Sequence, residues 1–205
     1  MLTNLRRSIV MAAICLAFFG FIYALAGTGV SQLLFRHQAD GSITANGSTL
    51  IGQNWTSPKW FHGRPDDMGP YAANPKAHVS GGDNPLIANG VNGQSGGTSL
   101  GPRSKVLLAD TKELIALWHK LGVANPTPDL VTTSGSGYDP DITAWDATVQ
   151  IPMVSKATGI SPSQLSALIA RENHGAELGF LGSSYIDVLQ LNEGLAALET
   201  KHRSA

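Results

Sequence analysis

No charged residue occurs between Arg7 and Arg36, and the stretch Ile9 to Ala26 is almost unbroken in its apolar character. At about 1.5 Å of rise per residue, a helix over the inner stretch is about 27 Å long. Over the whole uncharged run it is about 40 Å, so the two bracket a hydrocarbon core of about 30 Å. The run predicts a membrane span. Ala24-Leu25-Ala26 also fits a signal-peptide cleavage pattern behind a basic start, but a signal's apolar region runs to about 7 to 15 residues. Here the apolar character continues through Val30, Leu33, Leu34 and Phe35. A retained anchor is the expectation. Arg6 and Arg7 on the short N-terminal flank outweigh Arg36 beyond the span, which keeps the N-terminus in the cytoplasm and the rest outside.

The remainder has no second run of spanning length, so the expected fold class is a single N-terminal transmembrane helix plus one mixed α/β extracytoplasmic domain. Residues 1-36 form the cytoplasmic stub and anchor, and residues 37-205 the soluble domain. Fourteen Lys and Arg against fifteen Asp and Glu leave a formal charge of -1, which removes the positive footprint that nucleic-acid binding needs. The single cysteine, Cys15, lies inside the apolar run, so neither a disulfide framework nor a Cys-rich zinc site is available.

Local signals divide the soluble part. Ser48 to Gly52 reads as a short strand, and Pro58, Pro65, Pro70 and Pro75 then forbid long regular elements. A Gly-rich loop follows at about residues 80-101, with seven glycines in the twenty-two residues from Ser80 to Gly101. Leu107, Leu114, Leu117, Trp118 and Leu121 form one helical stripe after Ser104, with Gly122 as its stop. Leu130 to Thr133 predicts a strand entering the turn Ser134 to Gly137. Thr143 predicts an N-cap with Asp146 in the first turn, of a helix that Pro152 interrupts. Ser161-Pro162-Ser163-Gln164 is a capping box with proline at the first helical position. Tyr185 to Leu191 predicts a strand, and Asn192 the cap of a last helix.

Chemistry-bearing patterns are sparse. His62, His78 and His174 show no metal-ligand spacing, so no metal is expected. Gly135-Ser136-Gly137 lacks the spacing of a nucleophile elbow and reads as a turn. Gln94-Ser95-Gly96-Gly97 precedes a helix, as phosphate-cradling loops do, but lacks the following Lys-Ser or Lys-Thr of a P-loop. Ala13, Ala17, Gly20 and Ala24 place small residues on a face of the span where another helix can approach closely. Trp55, Trp60 and Phe61 read either as contact aromatics or as core.

Behind the basic-flanked anchor, several blocks recur in a known order: Gly47-Ser-Thr-Leu-Ile-Gly-Gln53, Phe61-His-Gly-Arg-Pro65, Ser95-Gly-Gly-Thr-Ser-Leu-Gly-Pro102, Leu130-Val-Thr-Thr-Ser-Gly-Ser-Gly137 with Asp139-Pro140, Ile151-Pro152, and Val188-Leu-Gln-Leu-Asn192. Through them the whole chain resembles the C subunit of the bacterial Kdp-type potassium-transporting ATPase. It departs at Asp83 to Gln94, an extra stretch between Ser-Gly-Gly copies at Ser80 and Ser95, and either copy can carry the family's role. The resemblance implies a non-catalytic accessory subunit of a high-affinity potassium uptake complex in the bacterial inner membrane. It also implies as partners a P-type ATP-hydrolysing subunit, a potassium-channel-like subunit and a small membrane subunit. The family role is that of a catalytic chaperone that raises the ATP affinity of the hydrolysing subunit, with the nucleotide-linked loop falling on Gln94, Ser95, Gly96 and Gly97. No cofactor is expected to bind tightly, and ATP is engaged only through the partner. The orientation read from Arg6 and Arg7 sets that loop on the side without ATP, so either the effect travels through the span and partners or the loop binds something else. The competing class is a stand-alone membrane-tethered envelope enzyme or binding protein.

Overall fold

A computed structural model describes residues 2-53, 55, 57-65 and 97-203. The chain divides into two compact units, Met1–Ala45 and Asn46–Ala205.

The first unit is built on one continuous helix, α1, Leu2–Leu34. At about 1.5 Å per residue it is about 50 Å long, and its side chains are exposed throughout. A soluble protein does not leave Ile9, Phe18, Phe19, Phe21, Leu25 and Leu33 in water together, so this surface is built for lipid or another apolar helix. Leu16–Ile22 within α1 is π-helical. A one-turn helix α2, Arg36–Ala39, follows.

In the second unit the local capping signals hold. Helix α3, Lys105–Lys120, starts where the Ser104 side chain accepts from the Leu107 amide at 3.3 Å, and Gly122 beyond its end takes φ 91°. Helix α4, Ala144–Thr158, carries a full capping box between Thr143 and Asp146. Helix α5, Pro162–Glu172, carries another between Ser161 and Gln164. Strands β1, Asp141–Ile142, and β2, Ile186–Asp187, form an antiparallel pair, with Asp141 opposite Asp187 and Ile142 opposite Ile186. Helix α6, Val188–Arg203, closes the unit, with α5 packed against α4 and against α6. Phe61, Leu114, Trp118, Val154, Leu165, Ile186, Leu191 and Leu195 lie in its shared core.

The sheet is therefore smaller than the mixed α/β expectation, and the unit is a helical domain with one two-stranded pair among the described residues. Four expectations are corrected. Ser48 to Gly52 forms no strand but turns at Thr49 and Leu50. Asp129–Val131 is a 3-10 turn, because burying Leu130 and Val131 there lets the Leu130 carbonyl accept from Trp118 Nε1 at 2.9 Å. Pro152 lies inside α4 without ending it. Both Pro152 and Thr148, whose carbonyl loses its amide partner, are exposed, and water can serve that carbonyl. The last helix begins at Val188 rather than after Asn192, since Asp187 Oδ1 accepts from the Gln190 amide at 2.7 Å and caps it five residues earlier.

Candidate functional site

The blocks that carry the resemblance meet in space around residues 61-65. Asn192, inside α6, donates from Nδ2 to the Phe61 carbonyl and accepts from the Phe61 amide, both at 2.9 Å. Gln150, inside α4, accepts from the His62 amide at 2.8 Å and donates to the His62 carbonyl at 3.0 Å. Two buried amide side chains thus act as strand edges for two consecutive residues that have no strand beside them, which satisfies four backbone groups that are costly to bury unpaired. Asp146 extends the network by accepting from Thr127 Oγ1 and from the Thr143 amide.

The His62 ring packs edge-on against Trp118, with ring centroids 5.8 Å apart. Among the described residues neither ring nitrogen has a hydrogen-bond partner in good geometry, and burial lowers its pKa to about 4, with a weaker interaction from the Ser57 backbone working in the opposite sense. The imidazole is held neutral at physiological pH. His62 serves as a core aromatic here. Phe61 is fully buried, and Trp55 and Trp60, partly buried, pack against the same core with their rings 5.3 Å apart, so all three take part in core packing.

Two residues on, Arg64 binds the Leu130 to Gly137 block and its flanking aspartates. Its Nη2 donates to the Thr133 carbonyl at 3.0 Å, and its Nη1 lies 3.6 Å from Asp129 and 3.7 Å from Asp139. The turn beside it is closed by the Ser134 and Ser136 hydroxyls, which accept from the Gly137 amide at 3.0 Å and the Tyr138 amide at 3.1 Å. The Tyr138 carbonyl accepts from the Gly52 amide at 2.6 Å and so ties in the first block. Gly97 abuts this turn: a Cβ built on it would stand 3.5 Å from the Ser134 carbonyl oxygen and from Gly135 Cα. Of the residues assigned to the nucleotide-linked loop, Gly97 is placed here, while Gln94, Ser95 and Gly96 lie outside the described residues, as does the Ser80 copy. Arg64 faces two carboxylates at under 4 Å, so its charge is already balanced.

A second polar cluster lies at the strand pair. Asp141 and Asp187 face each other across it and share a cavity of about 280 Å³ with His174, Tyr185 and Gln190. His174 stacks on Tyr185 at 5.1 Å, and its Nε2 is 3.2 Å from Gln190 Oε1. Burial raises the Asp141 pKa to about 6, with the charges of Asp187 and Asp139 adding to the rise and His174 opposing it. Asp187 is raised as well, chiefly by burial, against the amides of Gln190 and Leu189 that favour its ionised form. Among the described residues no group of three or more His, Cys, Asp or Glu side chains is arranged to hold a metal ion.

In α1, Ala13, Ala17, Gly20 and Ala24 are exposed. Leu16–Ile22 shifts the hydrogen-bond register from i+4 to i+5 between the first and last of them. Gly20 sits in that π segment, where an added Cβ would stand 3.3 Å from Leu16 Cδ1.

Of the organising side chains, sequence reasoning left Arg64 and Gln150 without individual roles and read Asn192 as a helix cap. Gln150 and Asn192 are polar residues on otherwise core-facing helical positions, and that is the signal that marks them.

The family model described as K+-transporting ATPase, c chain, matches residues 5-197. Similar proteins include potassium-transporting ATPase KdpC subunits from three bacteria. That of Koribacter versatilis is 35% identical over 196 residues, covering 92% of this chain and 92% of the relative. That of Bradyrhizobium diazoefficiens is 39% identical over 204 residues, covering 95% and 97%. That of Staphylococcus aureus is 37% identical over 199 residues, covering 95% and 97%.

Proposed function

The chain belongs to the KdpC family of K+-transporting ATPase c chains, and from that premise we propose that it is a non-catalytic accessory subunit that assembles the pump and raises the ATP affinity of its hydrolysing subunit. The observation that carries this reading is how the family blocks are used. The polar groups of Phe61 to Arg64, Thr132 to Gly137, Gln150 and Asn192 bond to one another, so the blocks build a fixed shape. A shape is what a docking subunit supplies to its partners. The α1 helix supplies the anchor, crossing the bacterial inner membrane with Arg6 and Arg7 on the cytoplasmic side and the second unit outside.

In that orientation the effect on ATP travels through α1 and the partner subunits, and the small-residue face Ala13, Ala17, Gly20 and Ala24 is where α1 meets them. Residues Gln94 to Gly97 then act on a partner instead of on nucleotide. The test is potassium-stimulated ATP hydrolysis by the reconstituted complex with and without this chain. The KM for ATP is expected to rise when the chain is left out. An unchanged KM in a complex that still assembles overturns the proposed role in ATP affinity.

A further inference from the structure

Between α5 and β2 the chain makes a hairpin, bridged at His174–Tyr185 and at Glu177–Leu181. Its backbone is held by paired bonds between the amides and carbonyls of His174 and Tyr185, at 2.8 and 3.0 Å, and of Glu177 and Leu181, both at 2.9 Å. The tip bonds from the Gly179 amide to the Ala176 carbonyl and from the Phe180 amide to the Glu177 carbonyl bring Leu178 to φ 52°, a strained value for a bulky side chain. The tip side chains contribute nothing to this framework. Leu178 is 81%, Phe180 75% and Leu181 51% exposed. Trp145, 64% exposed, lies three residues past β1, at the end of the strand pair from which the hairpin leaves. Three large apolar side chains on one strained turn form an exposed apolar surface that water does not favour.

We propose that this hairpin is a docking finger whose occupant is an apolar pocket with a basic rim on another subunit of the same ATPase. The proposal rests on the accessory-subunit reading above. Charge selects the occupant. From Asn173 to Tyr185 there is no Lys or Arg, and the one formal charge is Glu177, exposed beside the tip with no ion pair among the described residues. An apolar loop that enters a bilayer is held by cations against anionic headgroups, whereas this one carries a carboxylate there. A second copy of the chain would set two Glu177 carboxylates near one another, which like-charge repulsion disfavours. A protein surface with an apolar pocket and a Lys or Arg at its edge satisfies both the side chains and the charge. The apolar anchors fill the pocket, and Glu177 sets the register.

The experiment uses the full chain, alone in detergent and assembled with its partner subunits. Phe180 is replaced by the photoreactive aromatic p-benzoylphenylalanine, which keeps the ring, and Ser183→Cys leaves all the apolar side chains in place for labelling with a charged maleimide. Crosslinking to another subunit of the ATPase is expected, together with labelling about tenfold slower in the complex, since residues around an interface anchor are shielded from water. Adding Phe180→Ser to the labelled chain is expected to restore the rate of the isolated chain. Equal labelling rates in both states, or crosslinks to lipid or to a second copy only, overturn the finger while leaving the accessory-subunit reading in place. Failure of the unsubstituted chain to copurify with any partner overturns that reading and the finger with it.

Discussion

Replacing Asp187 by Asn removes one of two carboxylates that face each other across β1 and β2 while keeping the oxygen that caps α6. Raising Asp141 from 3.8 to about 6 corresponds to about 3 kcal/mol of preference for the protonated form. Burial is the first cause of that rise and survives the substitution, and Asp141 is partly exposed, so solvent screening reduces the share due to Asp187 to about 0.5 to 1 kcal/mol. The sign follows from proton binding. Because the folded chain holds its proton at Asp141 more tightly than the unfolded chain, the associated stability is complete below the ordinary carboxylate range and is lost as pH rises through about 6. Asp187→Asn is therefore expected to stabilise the chain at pH 7.5 and to make little difference at pH 4.5, where Asp141 is already protonated. At about 2 to 4 °C per kcal/mol for a domain of this size, the gain in Tm at pH 7.5 is about 1 to 4 °C. Thermal unfolding of the full chain in detergent, followed by tryptophan fluorescence at the two pH values, measures it. A loss of Tm at pH 7.5, or an equal shift at both pH values, refutes the reasoning.

Asn192→Ala strips the Phe61 amide and carbonyl of their partner and is expected to lower unfolding stability by about 2 to 3 kcal/mol, read from the denaturant midpoint. His62→Phe removes two buried ring nitrogens that have no well-formed hydrogen bond among the described residues and is expected to be neutral or stabilising at pH 7. It also flattens acid sensitivity: as pH falls from about 6.5 towards 4, the unfolded chain takes up a proton that the folded His62 refuses, and Phe abolishes that drain on stability. Gly20→Leu with Ala24→Leu crowds the small-residue face and is expected to reduce copurification with the partner subunits at least tenfold; full recovery contradicts docking through that face.

Much of the fold was readable because its signals are local. The apolar run is continuous, and the Ser161–Gln164 capping box, the Thr143 cap with Asp146 and the Gly122 stop each depend on residues close together in the chain; each appears in the structure. The strand expected at Leu130 to Thr133 failed for the opposite reason. Leu130 and Val131 are apolar and flanked by turn residues, which suits a strand or a buried 3-10 turn equally, and the carbonyl acceptor for Trp118 Nε1 decides between them. The site was less readable still. Asn192 looks like a helix cap beside its neighbours, and its work is done on Phe61, 131 positions away; Gln150 reaches back 88 positions to His62. No pattern of adjacent residues encodes those pairings. The resemblance flagged the right blocks without saying that they hold one another.

The clasp between Asn192 and Phe61 also constrains how the domain is made. A ribosome working at about 5 to 20 residues per second needs roughly 7 to 26 s to lengthen the chain from one partner to the other. Throughout that interval the 61-65 segment has emerged with two polar backbone groups and a large aromatic ring still waiting for the final helix. A nascent chain stalled short of α6 therefore presents an unclosed, sticky core, and surveillance proteases have a ready mark for unfinished copies.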